Sequence, residues 1–298
     1  MRQDLARTAL PHRVCTGIPR NQPGKTAAGL AGGRTAREDA RLRERRGHER
    51  LRAGDTGRDH QLVFTGRVTV TLVILRFQLP HAAPALSCGA GRSAVTRAVR
   101  EIRPLLAARG FAVPGGAGLR LRTLAGVFAC TAAKGAELRL DGTEVRLRRP
   151  EANRPGRRAS VPGRMRQNTG KATAVTGGKG RTGWTGTIRP GRMHDQTAAK
   201  SEGTENLPER YPQADAGYRG LARRFPGQVQ APPDKPGKDA PAGERAARET
   251  ARTQQPSGRN CAGHRQRRPL QRYTGRREHH DKTHLAIARL LSGRTAQR

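Results

Sequence analysis

One alternating run constrains this chain more than any other feature. In "AELRLDGTEVRLRRP", residues 136–150, Leu138 and Leu140 alternate with charged residues, Asp141-Gly142 intervenes, and Val145 and Leu147 alternate again. Period-two patterning of this kind specifies β-structure. Read locally, it predicts a two-residue hairpin with Asp-Gly as the turn. Leu138 then faces Val145, Glu137 faces Arg146 and Arg139 faces Glu144, so that opposite charges meet across the strands. A second reading makes Asp141 a carboxylate set at the end of a strand for chemistry.

Charge narrows the class of partner. The 298 residues carry 59 Lys and Arg against 23 Asp and Glu, a formal charge of +36, and the basic residues run along the whole length. Such a chain favours a polyanion, because phosphates release counterions on contact. Apolar residues make up only 34% and aromatics 3%, against about 45–50% apolar in ordinary globular chains. The same bias arises when a GC-rich reading frame is translated without selection, so composition alone leaves that alternative open. No run reaches the ~18 apolar residues of a membrane span, and the N-terminus lacks the apolar core of a signal peptide. The cysteines, Cys15, Cys88, Cys130 and Cys261, are far apart, which predicts free thiols in a reducing cytoplasm. Cys261-x-x-His264 has no second half with which to complete a zinc site.

Residues 1–36 show no periodicity and are expected to be a disordered basic tail. "REDARLRERRGHERLRA", 37–53, reads as a solvated or phosphate-facing helix. In the next segment Val68, Leu72, Leu75 and Leu79 recur at helical spacing, although "VTVTLVIL" is β-branched enough to pass as a strand. Pro80 can open a short helix, Gly89 and Gly91 give a turn, and Ser93 can cap a second helix with Val95, Val99, Ile102 and Leu106 on one face. Its other face shows Arg92, Thr96, Arg97 and Arg100. Two short helices about a turn outline a helix-turn-helix, and equally an ordinary helical hairpin with a solvated basic face. Residues 110–133 read as a linker. Beyond them, strands are predicted at "KATAVT" and "GWTGTIRPG", joined by a Gly-rich turn. Helices are predicted at "HDQTAAKSEGTENL", "GERAARETARTQQ" and "THLAIARLLSG", the last with Gly293 after its end.

The segments "LDGTEVRLRRP", "RPGRMHDQTA", "ADAGYRGLARRFPGQVQAPPDKPGKDAP" and "RPLQRYTGRREHHDKTHLAIARLLS" resemble the catalytic region of actinobacterial insertion-sequence transposases. These belong to the DDE endonuclease superfamily and are related to the PIF/Harbinger type. Residues 62–111 are similar to the helix-turn-helix region that precedes it in that family. The resemblance implies an α/β fold in which a helical DNA-binding region, 37–109, is followed by an RNase H-like mixed-sheet domain, 134–298. It further implies that Asp141 and Asp215 are catalytic metal ligands, with Asp195 as a supporting acidic residue, and that Arg92, Ser93, Thr96, Arg97 and Arg100 contact DNA. The implied cofactor is Mg²⁺ or Mn²⁺, since hard cations take oxygen ligands and two metals can serve phosphodiester cleavage. The implied partner is double-stranded DNA at transposon ends, in the bacterial cytoplasm at the nucleoid. A homo-oligomer is left open, and no membrane is involved.

The chain departs from the family in two places. Gly263, in "NCAGH", stands where the family has its third carboxylate, a glutamate, and about five residues are missing after His264. Pro84 falls inside the first helix of the helix-turn-helix, where an interior proline costs roughly 3 kcal/mol. These departures suggest a degenerate copy. Three readings follow: an impaired transposase, a catalytically dead DNA-binding remnant, or an unstable pseudogene product. Glu244 and Glu249 are the carboxylates that could replace the missing one, against the simpler reading that they pair with neighbouring arginines on a solvated helix.

Overall fold

A ten-residue strand, β3 (Leu138–Leu147), is the axis of the architecture. The computed structural model describes residues 62–296 except 114–115, 117, 137, 150–157, 164–165, 178–181, 204–211, 215, 228, 233–236, 238–239 and 255–265. The expected tail 1–36, the expected helix 37–53, Asp215, Cys261, Gly263 and His264 therefore lie outside the described residues. The chain divides into two compact units. The first includes residues 62–72 and His81–Ile102, and the second Val73–Pro80 and Arg103–Arg298.

Three helices enter the first unit: α1 (Phe64–Phe77), α2 (Ala82–Ser87) and α3 (Arg92–Ala108). The β-branched run is thus helical. Val68, Val70 and Leu72 are buried, and burial overrides the weak helix propensity of valine and threonine. Thr71 returns its hydroxyl to the Arg67 carbonyl at 2.8 Å. The buried Arg67 guanidinium is paired with Glu101 at 2.7 Å, which joins α1 to α3. Pro84 does not disrupt α2. It is the third residue of the helix, in the first turn, where no intrahelical partner awaits its missing N–H. Helix α3 begins at Arg92, so Ser93 is inside it, and the Gly91 carbonyl accepts from Ala94 and Val95 in the capping position expected of Ser93.

In the second unit β3 has partners on both edges. Along one edge it pairs antiparallel with β4 (Thr169–Gly177) in unbroken register from Leu138↔Gly177 to Arg146↔Thr169. On the other edge it runs parallel to β7 (Pro212–Ala214) and to β8 (Arg272–Tyr273). β5 (Thr182–Thr185) and β6 (Arg189–Pro190) pair antiparallel with β4, and the main path across the sheet is β5-β4-β3-β7. The result is a mixed sheet in an α/β unit.

The predicted Asp-Gly hairpin is not formed. Asp141 and Gly142 lie mid-strand, opposite Ala174 and Thr173. The nine-residue ladder to β4 offers far more pairing than a two-residue turn. The change of phase between Leu138/Leu140 and Val145 arises because the two halves of β3 bury opposite faces. Residues 110–133, expected as a linker, carry β1 (Phe111–Ala112), β2 (Arg120–Leu121) and α4 (Leu124–Ala133), and α4 puts Leu124, Val127 and Phe128 into the core. That core also holds Leu138, Leu140, Val175, Trp184, Tyr218 and Leu221. The remaining helices are α5 (Asp195–Lys200), α6 (Arg219–Arg224), α7 (Ala242–Gln254), α8 (Arg268–Gln271) and α9 (His280–Ala296). Gly293 is inside α9 rather than after its end. His280, His284, Ile287 and Leu291 are buried along it. Among the described residues no helix is long and apolar enough to cross a membrane.

Candidate active site

Directly paired residues on neighbouring strands put their side chains on the same face of a sheet. The β3–β4 register therefore sorts the site into two faces. Leu140, Gly142 and Glu144 share one with Val175, Thr173 and Lys171, while Asp141 and Thr143 share the other with Ala174 and Ala172. Asp141 is half-buried on a face whose neighbours on β4 are small. Strand β7 ends its pairing at Ala214, opposite Leu140. Asp141 and Asp215 are the next residues after these two in the chain.

Asp195 is on the Gly142 side. It opens α5, whose N-cap is His194, with Nδ1 accepting from the Gln196 amide at 3.4 Å. A β-carbon placed on Gly142 would lie 3.1 Å from Asp195 Oδ1 and 3.6 Å from the Tyr218 hydroxyl, so the missing side chain lets both approach the strand. The same Oδ1 accepts an ion pair from Lys171 Nζ at 2.9 Å, and that ammonium also donates to the Met193 carbonyl at 3.0 Å. Asp195 is thus neutralised by a lysine from β4 and lies across the sheet plane from the Asp141 side chain. Lys171 and Tyr218 carried no signal of their own in the sequence. Gly142 and Tyr218 did stand inside the "LDGT" and "DAGY" stretches that carry the resemblance. Glu144, farther along the same face, accepts from the Thr169 hydroxyl at 2.6 Å.

The described residues do not complete a divalent-metal site. No group of three or more His, Cys, Asp or Glu among them could hold an ion. Asp141 is the described candidate ligand, and Asp195 is already committed to Lys171. Glu244 and Glu249 are exposed on α7.

The five residues expected to contact DNA lie on α3. Arg92, Ser93, Arg97 and Arg100 are exposed. Thr96 is half-buried. Its hydroxyl donates to the Arg92 carbonyl at 3.0 Å and lies 2.8 Å from His81 Nδ1, so it ties α3 to the start of α2.

Residues 140–287 match the family model of the DDE superfamily endonucleases. The match begins one residue before Asp141 and runs from β3 into α9, so it covers the sheet and supports the DDE endonuclease superfamily for this region. DDE endonucleases act on DNA and typically use divalent metal ions. Comparison with curated proteins and with solved structures gives no match.

Proposed function

We propose that this chain is a transposase of the DDE type by descent. Its activity is metal-dependent DNA strand cleavage at insertion-sequence ends, in the bacterial cytoplasm, impaired by the loss of one carboxylate. One observation carries the reading. Within the region that matches the DDE family, β3 and β7 run parallel with Leu140 opposite Ala214, and each chain continues with an aspartate. An RNase H-like site needs that juxtaposition, with Asp141 and Asp215 as the ligands of Mg²⁺ or Mn²⁺. What a bound divalent ion supplies is charge stabilisation at the attacking and leaving oxygens of an in-line displacement. The chain's own part is to set Asp141 beside the strand that leads to Asp215 and to bring DNA to them by its positive charge. Asp195 serves this site from behind, by fixing α5 against Gly142 and Lys171. The exposed Arg92, Ser93, Arg97 and Arg100 of α3, with Thr96 among them, form the DNA-contacting face of a helix-turn-helix.

The test is cleavage of supercoiled and end-containing DNA by the full chain, with Mg²⁺ or Mn²⁺ and with chelator. Weak metal-dependent nicking, lost in Asp141→Ala, with strand transfer nearly absent, is expected. Gly263→Glu alone should not restore transfer, because about five residues after His264 are also missing. Rebuilding that segment with the glutamate should. Gly263 also favours a second reading, a DNA-binding remnant without catalysis. It predicts DNA binding with no nicking under any metal.

A further inference from the structure

Arginines on the C-terminal helix and on the small β1–β2 hairpin converge, and among the described residues no carboxylate forms an ion pair with them. Gly110 has a left-handed backbone, φ 83°, and a β-carbon there would lie 3.2 Å from Arg120 Cβ and 3.3 Å from Arg122 Cγ. Arg109, the residue before Gly110, is near enough to Arg120 for the two charges to repel. Arg120 reaches on to α9. It donates to the Gly110 carbonyl at 3.3 Å, and its Nη2 would be 3.7 Å from a β-carbon on Gly293. Gly293 is one turn beyond Arg289 on the same helix face. Arg289 stacks over the Phe111 ring of β1 at 5.2 Å. The hairpin is pinned there by Ser292, whose hydroxyl accepts from the Ala112 amide at 2.8 Å.

Arg109, Arg120 and Arg289 are partly withdrawn from water, and neighbouring guanidiniums repel two of them. Burial, then Arg120, lowers the Arg109 pKa. Burial, then Arg122, lowers that of Arg289, with Asp281 acting weakly the other way. Arg267 is lowered to about 10 by burial, then by Arg76 and Arg294, the residue that follows Gly293. A guanidinium with that pKa is still charged at neutral pH, so the repulsion persists. Among the described residues none of these arginines has a carboxylate within ion-pair distance. A single small anion would satisfy one or two of them. A linear, repeating anion would satisfy the series, and the arginine fork matches phosphate oxygens in particular.

We infer that the β1–β2 hairpin and the C-terminal half of α9, through Arg109, Arg120, Arg122 and Arg289, form a surface that binds the phosphate backbone of duplex DNA. The four arginines lie outside the residues matched by the DDE family. It rests on the reading that DNA is the substrate.

The experiment is equilibrium binding of the full chain to a short random-sequence duplex, in chelator, across a sodium chloride series. Chelator makes the readout independent of catalysis, so failure of the cleavage reading and failure of this surface are distinguishable. The double variant Arg120→Gln/Arg289→Gln should lose about tenfold in affinity per arginine at low salt. Its plot of log affinity against log salt should flatten by about 2. The exposed pair Arg148→Gln/Arg149→Gln is the control and should change little. Equal losses in both pairs, or no loss in the first, would overturn the proposal. Displacement of the duplex by inorganic phosphate at matched ionic strength, or tighter binding of polyglutamate than of DNA, would also overturn it. If the first variant does not show a cooperative melt, Arg122→Gln, at an exposed position, should still flatten the salt dependence by about 1. An unchanged slope there overturns the surface.

Discussion

Lys171 Nζ and Asp195 Oδ1 meet at 2.9 Å, and the absent side chain of Gly142 gives that same Oδ1 room against the strand. The contact joins the second strand of the sheet to the first turn of α5. Both groups are largely, though not wholly, withdrawn from solvent. Asp195→Asn and Lys171→Met should each lower stability by roughly 1 kcal/mol, and the double variant should cost less than their sum. Urea denaturation of the three variants measures this. If Asp195 is a metal ligand rather than a support, Asp195→Asn will abolish cleavage as completely as Asp141→Ala.

Gly170 is the tightest testable point on β4. A β-carbon there would come within 2.7 Å of Ile188 Cγ2 and 2.9 Å of Leu147 Cδ1, with His280 at 3.6 Å. Gly170→Ala should therefore destabilise the protein by about 1–3 kcal/mol through overpacking. A lowered denaturation midpoint with unchanged m-value is the expected result. An unchanged midpoint would show that Ile188 and Leu147 can move aside.

His280 makes the fold sensitive to acid. Its ring is 1% exposed and tilted against Tyr273, with centroids 4.7 Å apart, and burial and then Arg277 depress its pKa to about 4. The unfolded chain, with an ordinary histidine pKa near 6.5, binds the proton more readily. Stability from this group is full above pH 6.5 and is lost as pH falls toward 4, by about 3 kcal/mol. Denaturation midpoints across that range should fall in the parent protein. The fall should be shallower in His280→Leu, and parallel curves would assign the acid sensitivity to other groups.

Arg97 and Arg100 are exposed on α3, next to the buried Val95 and Val99 stripe. Replacing both with alanine should weaken duplex binding more than deleting residues 1–36. Equal losses by gel shift would mean that α3 contributes only diffuse charge.

Local pattern and long-range pairing differed in how far they could be read from the sequence. The apolar stripe of α3 and the strand at "KATAVT" were visible because their periodicity is carried by neighbouring residues. The Asp-Gly turn was misread for the same reason. "LRLDGTEV" satisfies a hairpin locally, and only the ladder to β4, more than twenty residues away in the chain, keeps it straight. α4 reads as a linker in the sequence because its apolar residues, Leu124, Val127 and Phe128, sit in a short Ala- and Gly-rich run with weak contrast. Gly293 read as a stop because glycine commonly follows a helix, whereas here Arg120 lies against the bare backbone. Of the candidate site, the motif around Asp141 marks that residue as a candidate in the sequence. Its separation from Asp195 by the pleat is not legible there, since that depends on strand register. The convergence of Arg109, Arg120, Arg122 and Arg289 is hidden by abundance, because nothing in a chain so rich in arginine marks which ones the fold brings together.

The central strand also imposes a schedule on synthesis. β3 and β4 emerge close together and can zip early. The other edge of β3 waits for residues 212–214 and 272–273. At ~5–20 residues per second the strand bearing Asp141 spends seconds with one row of amides and carbonyls open to any other nascent chain. A chain with this topology is therefore most exposed to misassembly during translation, and slower elongation through 148–211 would lengthen that exposure.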